Sequence, residues 1–116
     1  MRNTTWFMHQ SGDTLQVTLA RPEPTPGSFQ HLLDSTRSRI ETDGIRWAQI
    51  DLDAAEALDR ADLALLVPLN ELLRQRGGGV TLLKARPNVR QQLRRMGIDR
   101  AFRLEPFDEH TLLRFG

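Results

Sequence analysis

Between Ile45 and Leu83 the chain spells strand, helix, strand, and three consecutive glycines mark where the helix has to stop. Ile45 to Leu52 is short, with Trp47 and Ile50 as its large apolar side chains. From about Asp59 to Arg76 the leucines recur at helical spacing. Gly77-Gly78-Gly79 then ends the helix, and reads as a tight return loop with flexibility to spare. Val80-Thr81-Leu82-Leu83 follows as a compact buried strand. Strand, helix and strand in that order build a parallel pair joined by a right-handed crossover.

The flanking segments extend the pattern. Thr5 to His9 is rich in β-formers, Ser11-Gly12-Asp13 signals a turn, and Leu15, Val17 and Leu19 alternate with Gln16 and Thr18. These make a hairpin. Pro22, Pro24, Pro26 and Gly27 form a loop, and Ser28 can cap a helix with Phe29, Leu32, Leu33, Thr36 and Ile40 on one face. Asp43-Gly44 ends it. Pro87 or Asn88 opens another helix, with Val89, Leu93 and Met96 inward and Gly97 past its end. Ala101 to Leu104 reads as a short edge strand, and Asp108 as the cap of a last helix carrying Leu112, Leu113 and Phe115. The expected fold is α/β, one domain over residues 1–116. Its mixed sheet has four to five strands flanked by about four helices, in the order β-β-α-β-α-β-α-(β)-α.

Several functions find no residues to carry them. The absence of cysteine removes disulfides and thiolate metal sites. His9, His31 and His110 each lack a second ligand at metal-like spacing. The glycine run follows a helix, whereas a phosphate cradle precedes one and uses its first amides. No nucleophile–base pair is visible, so we expect no catalytic residues and no cofactor. Met1 to Thr5 lacks an apolar signal run, and the longest apolar run, Leu63 to Val67, is far short of the roughly 18 residues of a membrane span. We therefore expect a cytoplasmic protein that does not insert into membranes.

Charge is unevenly placed although the net is only +1. Asp34 to Asp62 holds eight acids and four arginines, a net of −4, and Lys84 to Arg103 holds seven cations and one acid, a net of +6. Arginines 86, 90, 94, 95, 100 and 103 suggest phosphate contacts. Only Phe102 stands near them for stacking, so we read a solvated helix face and expect no direct nucleic-acid binding. Asp51, Asp53, Asp59 and Asp62 cluster at a strand exit, where α/β sheets bind ligands. They suit either Mg²⁺ or, for Asp59 and Asp62, the positive end of a helix. We adopt the second reading and expect no metal.

At 100° per residue, Leu65, Leu66, Leu69, Leu72 and Leu73 share an arc of about 120°, the expected core stripe. Leu63 and Val67 fall on the flank with Asn70 and Arg74, as candidates for an exposed apolar spot. Pro68 lies inside the helix and should kink it.

Ile50-Asp51-Leu52, Leu58-Asp59 through Leu63-Ala64-Leu65-Leu66, Gly79-Val80-Thr81-Leu82-Leu83 and Met96-Gly97-Ile98 together resemble a STAS domain over about residues 45–104. STAS domains occur in bacterial anti-sigma factor antagonists and sulfate transporters. The resemblance implies a non-enzymatic, partner-binding protein. Many relatives switch partners when a kinase phosphorylates the first hydroxyl after the turn Asp. Asp59 and Leu63 keep the frame of that turn, but Arg60 and Ala61 stand at the two hydroxyl positions and Asp62 at the family glycine. The usual switch is therefore lost, with Asp62 supplying one fixed negative charge. Thr81 reads as a buried strand residue rather than a substitute acceptor. The same segments resemble the STAS subunit of Mla-type phospholipid ABC transporters, which docks on the ATPase. That subunit keeps a threonine where Arg60 stands. The expected docking residues are Asp59, Arg60, Ala61, Asp62, Leu63 and Val67. The expected partner is an anti-sigma factor or similar kinase-like signalling protein; the alternative is an ABC transporter ATPase.

Overall fold

In a computed structural model, which describes residues 6–20 and 27–106, the alternation becomes a five-stranded mixed sheet. β1 (Trp6–Ser11) and β2 (Thr14–Leu19) form the antiparallel hairpin. β3 (Trp47–Asp51), β4 (Gly79–Ala85) and β5 (Arg103–Pro106) then add in sequence order, each parallel to its predecessor. The crossovers carry α1 (Ser28–Asp43), α2 (Arg60–Arg74) and α3 (Pro87–Arg95), and a 3-10 turn, Asp99–Ala101, follows α3. Three α-helices thus stand among the described residues. The expected helix from Asp108 and the loop at Pro22, Pro24 and Pro26 lie outside them.

Strands added one after another by right-handed crossovers place their helices on one face of the sheet. Burial agrees. Leu15, Val17, Leu19, Ala48, Ile50 and Leu82 point into the core, while Gln16, Thr18 and Trp47 on the alternate positions are exposed. Trp6 and Phe29 meet edge to face with ring centroids 5.0 Å apart, which ties β1 to α1. Element ends move by one to a few residues from expectation, for example β4 to Gly79–Ala85 and α2 to Arg60–Arg74, and two shifts have a clear cause. Gly27, at φ 83°, takes the cap position of α1 and Ser28 is its first helical residue. The last strand begins at Arg103, because Asp99 to Ala101 wind into the 3-10 turn.

The glycine run is a constrained joint rather than a loose one. Gly77 has φ 85° and gives its N–H to the Arg74 carbonyl, and the Gly78 N–H reaches back to Leu73. Gly78 lies so close to β3 that a Cβ would sit 1.6 Å from the Arg46 carbonyl oxygen. The Gly79 N–H bonds that same carbonyl at 3.0 Å and starts the β3–β4 ladder.

α2 is rolled relative to the leucine stripe. Its buried residues are Asp62, Leu63, Leu66, Leu69, Asn70 and Leu73, an arc centred about 60° from the expected one. Leu65 and Leu72 are only half-buried. The cause is Asn70. Its Nδ2 donates to the Ala101 carbonyl at 2.8 Å and its Oδ1 accepts the Val80 N–H at 2.8 Å. That places an amide, and the flank that carries it, against the sheet. The helix runs through Pro68 as continuous α-helix. Pro68 and Ala64 are both exposed, so the Ala64 carbonyl that loses its donor can face water.

Candidate docking site

The segment 52–59 leaves the carboxyl end of β3 and delivers the chain to α2. Leu52, Ala55 and Leu58 are its buried anchors. The Asp51 carboxylate accepts the Asp53 N–H at 2.9 Å and approaches the Lys84 ammonium at 3.9 Å. Side chains from α3 and its cap hold the rest by backbone atoms. The Arg86 Nε donates to the Asp53 carbonyl at 2.6 Å and the Asn88 Nδ2 to the Glu56 carbonyl at 2.9 Å. Gln92 grips Leu58 at both its N–H and its C=O. Sequence reasoning missed this clamp. Its signal was the pair of amides, Asn88 and Gln92, one helical turn apart within the arginine run.

The clamp leaves Asp59, Arg60 and Ala61 exposed at the start of α2. Asp59 occupies the cap position and its carbonyl takes the first helical bond from Leu63, but its carboxylate makes no capping bond, contrary to the capping expected. Asp62 is buried, and burial, with the nearby Asp59 charge second, holds its carboxyl above the ordinary carboxylate range. The negative charge expected of it thus lies on a buried group rather than on the surface of the turn. Leu63 is fully buried, so it belongs to the core and not to an exposed spot; the roll of α2 turned it inward. Val67 is half-buried. Between α2 and α3 a cleft of about 200 Å³ is lined by Arg60, Gln92, Arg95 and Met96, with Leu63 behind them.

Other candidates separate from this site. His9 and His31 are exposed on β1 and α1, and His110 lies outside the described residues. Among the described residues no three His, Asp or Glu side chains converge as a metal would require. Phe102 is buried and offers no stacking face beside the arginines. Thr81 is half-buried on the helix-free face of the sheet, not buried as expected. No described helix is long and apolar enough to cross a membrane.

The STAS domain family model matches residues 23–110. The fold is similar to that of the unphosphorylated anti-sigma factor antagonist SpoIIAA (TM-score 0.76, 14% identity, 95% of each chain). It is also similar to a variant of RsbS from Moorella thermoacetica (TM-score 0.74, 20% identity, 96% of this chain and 94% of that one). An anti-sigma factor antagonist from Mycobacterium paratuberculosis aligns at TM-score 0.69 and 22% identity, over 95% of this chain and 92% of its own. No curated protein matches the sequence.

Proposed function

The chain belongs to the STAS domain family, and from that premise we propose that it is a non-enzymatic regulatory module that docks on a signalling protein, an anti-sigma factor or similar, without phosphate at the α2 turn. One observation carries this reading. The turn is exposed and held by α3, yet Arg60 and Ala61 stand where the family places hydroxyls. A surface fixed before binding loses little conformational entropy on binding, which suits constitutive docking. Asp62 does not replace a phosphate, because it is buried and cannot present its carboxylate to a partner as an exposed phosphate would. Control then lies on the partner, in the cytoplasm where such signalling proteins work.

A photo-crosslinking residue in place of Ala61 tests the reading in cells, followed by reconstitution with the purified captured protein. We expect Ala61→Trp to weaken that complex at least tenfold with the melting temperature kept. We also expect the mass of the chain to stay unchanged after incubation with partner and ATP. Undiminished affinity in Ala61→Trp, or a gain of one phosphate, overturns it.

A further inference from the structure

We propose that the cleft between Arg60 and Arg95 receives an acidic side chain, glutamate or aspartate, from the docking protein. This rests on the reading of the α2 turn as the docking surface and adds the chemistry of what meets it.

The two guanidinium groups come from different helices, Arg60 from the first turn of α2 and Arg95 from the last turn of α3. Both are exposed. The ion pairs Arg37–Asp34, Arg46–Asp13 and Lys84–Asp51 involve neither cleft arginine, and among the described residues neither is neutralised by one. The acids beside them do not serve: Asp62 is buried, and Asp59 forms no ion pair with either arginine. Gln92, on the wall, has its carboxamide engaged by Leu58 and does not compete for a ligand. Met96 gives the cleft an apolar side. Its volume of about 200 Å³ suits one side chain, below the roughly 300 Å³ at which small-molecule pockets begin. A glutamate fits these terms, its methylenes on Met96 and its carboxylate between two planar forks made for carboxylates. The negative charge that relatives acquire by phosphorylation would here arrive on the partner.

Heteronuclear NMR of the full chain at low salt tests this with short helical peptides. One carries Glu at two positions four apart, a second carries Gln there, and a third carries phosphoserine. We expect the Glu peptide to shift the Arg60 and Arg95 Nε–H signals and the Met96 methyl, binding about tenfold tighter than its Gln twin. In Arg60→Gln/Arg95→Gln the two should bind alike. Equal binding of the twins to the native chain, Glu-dependent shifts confined to other arginines such as Arg74 and Arg100, or tenfold preference for phosphoserine overturns the proposal. The docking reading is separable. A partner crosslinked at position 61 whose affinity ignores Arg60→Gln and Arg95→Gln sinks the charge inference alone. Loss of the Ala61→Trp effect sinks the reading itself.

Discussion

The side-chain amide of Gln92 pairs with both backbone groups of Leu58, accepting its N–H at 3.1 Å and donating to its C=O at 2.7 Å. A carboxamide carries donor and acceptor in one plane, so it can mimic a strand neighbour for a single residue. Leu58 is the residue before the α2 turn. The position of the exposed turn is therefore set by α3, a helix that follows it by nearly thirty residues in the chain.

Replacing Gln92 by Leu should leave both Leu58 groups without their partner and destabilise the fold by about 1–3 kcal/mol. Amide exchange at Leu58 should quicken beyond the global change. Gln92→Glu keeps the acceptor and loses the donor, so it should fall between. Native exchange at Leu58 in Gln92→Leu would show that the clamp holds nothing.

Asn70 shows where the sequence was legible and where it was not. The strand–helix order, the hairpin and the helix stops at Gly44 and Gly97 followed from period and turn chemistry, and these are local. The roll of α2 was not, because a leucine count ranks an asparagine as surface. Asn70 satisfies Val80, ten residues away, and Ala101, thirty-one away, and such partners leave no mark in local periodicity. The α3 clamp was hidden for the same reason. Asn70→Leu should cost about 2–4 kcal/mol, since it strands the Val80 N–H and the Ala101 C=O. Leu72→Ala, half-buried, should cost less. The reverse order in urea melts would contradict the roll.

Leu63 separates stability from docking. With no exposed surface, Leu63→Asp buries a lone carboxylate in the core and should abolish cooperative unfolding near neutral pH. Val67→Asp, half-buried, should stay folded with a loss of about 1–2 kcal/mol. Circular dichroism melts decide between them; a folded Leu63→Asp would return that residue to the surface.

Gly78→Ala should be the most damaging Gly→Ala change among the described glycines. A Cβ there meets the Arg46 carbonyl oxygen at 1.6 Å, and that oxygen also accepts the first β3–β4 bond from Gly79. Backbone must move, at a cost of about 3 kcal/mol or more. Gly12→Ala, whose Cβ meets nothing within 4 Å, should lose only the price of its positive φ, about 1 kcal/mol. Similar melting temperatures for the two would refute the close approach.

Asp62 gives the chain a pH dependence of definite sign. Burial first, and Asp59 second, raise its carboxyl pKa above the ordinary value. A group whose folded pKa is raised binds its proton more tightly in the folded state. Its contribution is therefore fully present below the unfolded value, near 3.9, and is lost as pH rises through the folded value. At neutral pH the chain thus folds with an ionised carboxylate held at a disadvantage. Asp62→Asn keeps the shape and removes the charge, so it should melt above the native chain at pH 7.5. The gap should narrow as pH falls through the raised folded value, where Asp62 takes up its proton. Asp59→Asn should lower the Asp62 titration midpoint, read from its side-chain carbonyl signal by NMR, without abolishing the elevation, because burial is the larger cause. An Asp62→Asn chain that melts below the native one at pH 7.5 would mean that the carboxylate is stabilised at the start of α2, and that its burial is outweighed by the helix end it faces.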